Sequence, residues 1–331
     1  MRIELRNSHL YGTFTSFSSA GLAGMICFLL LLSGLMMRLA AQTLVQDGQI
    51  RVLQNSLRVA TEQHASPEQL GGLWHVLGVR YQAAFDYDNA EDAFNRAIHL
   101  LRDTAFKAEY ADSLHGVAEL YVMKSRLKEA RSNLERALAV FEELGDRRNA
   151  ASVRGTLAVG LLREHKFREA ETEASAAVAV LESLANPDLT ELENAYTARA
   201  RAVAGQGHPE AALRDAARAR ALATGDPAAN SIDDVGTLLV QGEIQMQAGL
   251  ELEGQRSMAE ALRLARSMTD LPRAISAALE RLILEQEAFS LRRAHRNQEA
   301  KVVEDQMKHV ESAARSGCNG CTVNVTSLLP K

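Results

Sequence analysis

The residues of this chain with the greatest chemical reach are few and far apart. His75 and His115 stand forty residues from each other, and Asp112 and Glu119 flank the second. These are the residue types of an acid–base or metal site. They serve as well as polar side chains that touch solvent or a ligand, which needs no exact geometry, and that is the preferred reading. Cys318-Asn-Gly-Cys321 is a C-x2-C near the end of the chain. A zinc site needs a second pair, or Cys with His, and neither follows. A c-type haem needs His after the second Cys, where the chain has Thr322. A redox-active pair opens a helix in a thioredoxin-like fold, of which the sequence shows no sign. In an exported protein the expected fate of Cys318 and Cys321 is a local disulfide. Asn324-Val325-Thr326 matches the short N-glycosylation acceptor, a pattern that often arises by chance. The sequence contains no G-x4-G-K-S/T, G-x-G-x2-G, G-x-S-x-G or H-E-x2-H. No catalytic residue, metal or cofactor is therefore assigned, and an enzyme is not expected.

The elements that carry these residues must be helices. The 331 residues include only 6 prolines and 5% aromatics, in a background rich in Ala, Leu, Arg and Glu. At 47% hydrophobic and 24% charged, the composition is that of a folded protein. A formal net charge of -5 argues against a sequence-blind grip on nucleic acid, which depends on clustered Lys and Arg.

The N-terminus is of another kind. Ala20 to Met37 is a run of 18 residues without a charge, preceded by Arg2 and Arg6 and closed by Arg38. Such a run does not fit a helix of a water-exposed solenoid; it is a signal-peptide core or a membrane span. Cleavage before Gln42, after Leu39-Ala40-Ala41, and retention as an anchor both remain open. Either way residues 1–41 are set aside from the fold, and the remainder of the chain is expected outside the cytoplasm. Cys27 fills the apolar run.

Past that segment the sequence repeats itself. Trp74, Leu77, Gly78 and Tyr81 are followed by Ala90, Phe94 and Ala97, the spacing W-x2-L-G-x2-Y then A-x3-F-x2-A. This resembles the tetratricopeptide family, over roughly residues 67–313. Opposite Gly78 stand Ala118, Ala158, Ala200, Gly242 and Ala288, in steps of 40, 40, 42, 42 and 46 residues. Opposite Ala90 stand Ala130, Ala170, Ala212, Gly254 and Ala300; opposite Ala97 stand Ala137, Ala177, Ala219 and Ala261, with Met307 where the last unit departs. Small residues let antiparallel helices approach, and large ones fill the space between hairpins. Steps above the usual 34 resemble the long repeats of bacterial regulators and exported proteins.

The resemblance implies an all-α fold, a right-handed α-solenoid of about six tetratricopeptide-type helical hairpins. A leader or capping helix is expected within residues 42–66, the array over 67–313, and a tail carrying the C-x2-C over 314–331. Breaks are expected at Ser66-Pro67, Gly145-Asp146, Asn186-Pro187, Gly225-Asp226-Pro227 and Leu271-Pro272. The family's concave groove would be lined by His75, Val79 and Gln82 in the first unit, and by Asp112, His115, Glu119 and Val122 in the second. Ser152, Val159 and Leu162 come next in the third, then Asn194, Thr197 and Arg201. Leu239, Glu243 and Met246 and, last, Glu285, Phe289 and Arg292 complete it. This mixed lining suits a peptide segment of another protein. It lacks the Lys and Asn set with which chaperone-binding relatives clamp a terminal carboxylate.

The expected function is an exported or membrane-anchored protein-interaction scaffold, periplasmic or held in a bacterial inner membrane through residues 20–37. A ligand-sensing regulatory module, or a redox or metal role for the C-x2-C, are the alternatives.

Overall fold

The computed structural model describes residues 48–223, 232–268, 271–293 and 295–316. The expectations for residues 1–41, Gly225-Asp226-Pro227, the Cys318 and Cys321 pair and Asn324 lie outside the described residues. Among the described residues a helix over residues 48–62, α1, leads into twelve more. They pair as α2 (Pro67–Ala83) with α3 (Tyr87–Leu101), α4 (Lys107–Met123) with α5 (Leu127–Leu144), and α6 (Arg147–Arg163) with α7 (Phe167–Ser183). Next come α8 (Leu189–Gly205) with α9 (Pro209–Ala223), α10 (Ile232–Gln247) with α11 (Glu251–Ser267), and α12 (Arg273–Arg293) with α13 (Asn297–Ser316). No strand occurs among the described residues. The expected six hairpins are all present.

Each hairpin closes through the same turn. Phe85, Ser125, His165, Gly207, Gly249 and His295 adopt φ of 60°, 58°, 56°, 86°, 80° and 59°. They succeed one another in the steps of 40, 40, 42, 42 and 46 residues that separate the small residues. In each turn the next residue returns its N–H to a carbonyl five positions back, as from Arg126 to Tyr121 at 2.8 Å and from Leu250 to Gln245 at 2.8 Å. This Schellman pattern satisfies the last carbonyls of the first helix. Four of the six left-handed positions carry a side chain, against the steric preference of L-residues.

The repeating small residues sit where helices touch. Ala90, Ala118, Ala158, Ala170, Ala200 and Ala212 are all within 1% of complete burial, and Gly78, Gly242 and Gly254 are buried too. Gly78 gives the clearest physical reason. A β-carbon there would stand 2.7 Å from the Phe94 ring, and one on Gly116 would meet the other end of the same ring at 2.7 Å. Phe94 is thus held between glycines of two successive first helices, 1% exposed.

The ends behave as caps. Leu57 of α1 is buried, and Gln54 Nε2 donates to the Tyr81 hydroxyl of α2 at 2.7 Å. Helix α13 buries Ala300 and Val303 and leaves Glu299, Lys301, Asp305 and Lys308 exposed, as a terminal unit needs for solubility. It continues through Ser316, past the expected limit of 313.

The anticipated stops are built from their residues. Ser66 caps α2 in a capping box with Gln69, with Pro67 in the first turn. Gly145 ends α5 at φ 69°, and Asp146 accepts from the Asn149 N–H to start α6. At Asn186-Pro187 the cap is the next residue, Asp188, which accepts from the N–H groups of Thr190 and Glu191.

Candidate functional site

The packing of the helices fixes which face is free. Successive first helices, α2, α4, α6, α8, α10 and α12, touch one another along the stack. Among the described residues, successive second helices make no contact of that extent. The first helices therefore line the continuous inner face, and their outward side chains form its groove.

A cavity of about 530 Å³ opens across α4, α6 and α8. It brings together Gln82, Glu119 and Val122 with Ser152, Val159 and Leu162, and with Asn194, Thr197 and Arg201. Val122 and Leu162 are 4% and 7% exposed and form its floor. A second recess joins Glu243 and Met246 to Phe289, which is 57% exposed, with Ser290 and Arg293. Leu239, placed by its spacing on the groove, is 7% exposed and closes into the core between α10 and its neighbours.

Sequence reading missed Thr156, Gly155 and Glu191 in the main cavity. Helical spacing could have found two of them: Thr156 is four residues after Ser152 and Glu191 three before Asn194, so each shares its neighbour's face.

Several expected groove residues, including the two histidines, bond the adjacent first helix. Gln82 Nε2 donates to Glu119 Oε2 at 2.9 Å, tying α2 to α4. His75 Nδ1 lies 3.0 Å from the Ser113 hydroxyl, whose own proton goes to the Glu109 carbonyl at 2.7 Å. Nδ1 of His75 must then be the donor, which fixes its tautomer. Burial holds the His75 imidazole below its ordinary pKa, with the Glu109 charge opposing. His115 Nε2 lies 2.8 Å from the Thr156 hydroxyl and ties α4 to α6, while Thr197 and Thr237, 3.3 Å apart, join α8 to α10.

This geometry bears on catalysis. His115 approaches Thr156 at 2.8 Å and Glu119 Oε1 at 3.5 Å through the same nitrogen, Nε2. A nucleophile–base–acid relay needs the hydroxyl and the carboxylate on opposite ring nitrogens. Among the described residues no group of three or more His, Cys, Asp or Glu side chains could hold a metal ion.

Charge divides the cavity along α8. Glu191 sits in its first turn, with Oε2 buried and without a hydrogen-bond partner among the described residues. Burial holds the Glu191 carboxyl above its usual range, against the nearby Ser152 hydroxyl, with Asp188 adding to the rise. Asp112 is raised likewise, first by burial and then by Asp146 and Glu109, with His115 opposing. At the other end Arg201 has no carboxylate partner among the described residues. Arg163, half-buried beside it, donates to the Val122 carbonyl at 2.6 Å. Burial and the neighbouring Arg201 charge lower its pKa.

Comparison with known proteins agrees with the repeat. A tetratricopeptide repeat family model matches residues 69–143 and 109–183, the first three hairpins. Comparison with curated proteins gives no match. Among solved structures, the apo form of RapI is similar with a TM-score of 0.63 at 10% identity, over 83% of this chain and 96% of that one. BtubC from P. vanneervenii is similar with a TM-score of 0.53 at 20% identity, over 69% of this chain and 93% of the other. The Rap conjugation gene regulator of plasmid pLS20, in complex with the Phr* peptide, gives 0.52 at 12% identity, over 78% and 72%. At such identities the likeness speaks for the fold alone. The repeat match covers residues 69–183, and the later three hairpins share the same turn, so the described array is built of tetratricopeptide-type hairpins.

Proposed function

We propose that the chain is an interaction scaffold that holds a segment of a partner protein in the groove across α4, α6 and α8, and that it works by binding and not by catalysis. The observation that carries this reading is the cavity itself. Its apolar floor of Val122 and Leu162 carries polar and charged groups on its flanks, the build of a site that binds by burial and selects by hydrogen bonds. A volume of about 530 Å³ also suits a short free peptide, which favours a ligand-sensing module as the second reading. The peptide held by the pLS20 regulator is a property of that protein and supports only the compatibility of the fold with such a ligand.

The proposal places the array outside the cytoplasm, anchored or released by the N-terminal segment. Its support is the uncharged run Ala20 to Met37 between Arg6 and Arg38. No helix among the described residues is long and apolar enough to cross a membrane, and residues 20–37 lie outside them.

The test is co-purification after crosslinking in cells, comparing the wild-type chain with Val159→Trp, which fills the groove. Near-stoichiometric partners lost in the variant support the scaffold. Partners retained equally by both, or none at all, contradict it. Protease accessibility of the array in intact spheroplasts tests the location.

A further inference from the structure

The two ends of the main cavity carry opposite and unequally satisfied charge. Toward the first turns of α4, α6 and α8, Asp112 lies near Glu109, Asp146 and the His115 ring, and Glu191 lies near Asp188 and the same ring, while Glu119 meets His115 at 3.5 Å from a position level with Arg201 in the repeat. Arg148 is the guanidinium that acts on Glu191, and it is already donated to the Asn186 carbonyl. The Glu191 carboxyl already has the Ser152 hydroxyl as a hydrogen-bonding neighbour, but its buried Oε2 has no partner among the described residues, and an orphaned carboxylate oxygen costs free energy until something supplies a donor. At the far end Arg201 lines the cavity beside Arg163, and among the described residues neither is paired with a carboxylate; Glu119, level with Arg201 in the repeat, accepts from Gln82 at 2.9 Å. The two neighbouring guanidinium groups favour an incoming anion.

The separation is set by one helix. Glu191 and Arg201 are ten residues apart on α8, which is roughly 15 Å along its axis. An extended chain covers that distance in four to five residues, at roughly 3.3 Å each. Asn194 lies exposed between the two ends and offers both a donor and an acceptor. Those suit a backbone amide, which an extended segment leaves free and a helix does not.

We propose, on the groove-binding reading above, that the groove takes an extended dipolar segment in one direction, with a cationic group against Glu191 and a carboxylate against Arg201, four to five residues apart. The cation is a Lys or Arg side chain or a free amino terminus. The carboxylate is an Asp or Glu side chain or a free carboxyl terminus.

The experiment is selection of a displayed random nine-residue peptide library on the full-length purified chain, with subtraction on folded Val159→Trp. The enriched sequences should place a basic residue and an acidic one four or five positions apart, always in the same order. Glu191→Gln should erase the preference for the basic residue and Arg201→Gln that for the acidic one. Each should weaken a selected peptide roughly ten- to hundredfold, the loss expected for a hydrogen-bonded charge. The pair Glu191→Arg with Arg201→Glu should reverse the order. Synthetic copies with acetylated or free amino termini, and amidated or free carboxyl termini, separate side-chain from terminal charges. Subtracted binders without charge order, or with the charges ten positions apart as on a helix, overturn the dipolar proposal and leave the groove reading standing. Enrichment that the Val159→Trp subtraction removes completely, or no enrichment at all, overturns both. Circular dichroism of each variant excludes loss of fold as the cause.

Discussion

His115 of α4 and Thr156 of α6 meet side chain to side chain at 2.8 Å, one repeat apart, and so link successive first helices on the inner face. A histidine that looks like a catalytic group in isolation is here part of the seam between two hairpins. Replacing Thr156 with Val should destabilise the protein by about 1 kcal/mol, the net worth of one hydrogen bond. His115→Ala should cost a similar amount, and the double variant less than the sum. Urea unfolding of the four proteins checks this; strict additivity would mean that the contact is not formed in solution.

The Phe94 ring wedged between Gly78 and Gly116 leaves no room for a methyl group on either. Gly78→Ala and Gly116→Ala should each destabilise by about 1–3 kcal/mol through overpacking, despite the gain in helix propensity. Gly72 in the same α2 has open space around it, and Gly72→Ala should be neutral or stabilising. Thermal unfolding separates the three.

The four hairpin turns with side chains at left-handed positions offer gains. Ser125 is exposed at φ 58°, so Ser125→Gly removes a steric penalty that exceeds the added chain entropy. The expected effect is stabilisation by up to about 1 kcal/mol, read as a higher Tm. Ser125→Val should lower Tm, because a β-branched residue fits that region worst.

Asp112 gives a pH signature. Its carboxyl is raised in the folded state by burial, so the native protein binds more protons than the unfolded chain between the two pKa values. Stability therefore falls as pH rises through that window, beginning near the ordinary aspartate value of about 3.9, and levels off above the raised value. Asp112→Asn should raise Tm at pH 7 and lose that advantage near pH 4. An advantage that grows on acidification would contradict the assignment. His75 has the opposite sense. Burial lowers its pKa, so its cost to stability appears as pH falls below about 6.5, when the unfolded chain takes up the proton first.

Much of the fold was legible because a repeat states its packing rule several times. The small residues at 78, 90 and 97 recur at helix contacts, and each recurrence found burial in the structure. Gly145-Asp146 could be read from residue chemistry alone, since a left-handed stop and an oxygen cap need particular side chains. The groove was less legible. Spacing gives the face on which Gln82, His75 and His115 lie, but not whether a polar atom there meets solvent or the next helix 37 to 41 residues away. That depends on the distance between adjacent hairpins, which the side chains of both helices set together. Leu239 went into the core for the same reason. Glu191 was missed because it sits in a helix's first turn, where a glutamate is ordinarily read as a favourable partner of the helix dipole.

The central claim is that the inner face of α4, α6 and α8 holds the partner. A small aliphatic diazirine amino acid, close to valine in bulk and so unable to fill the groove as Trp does, placed at Val159 and separately at Leu252, 66% exposed on the second helix α11, tests it most directly in cells. The account predicts a discrete crosslinked species from position 159, absent from position 252 and competed by a selected peptide. Crosslinks of equal strength from both positions, or from 252 alone, would contradict it.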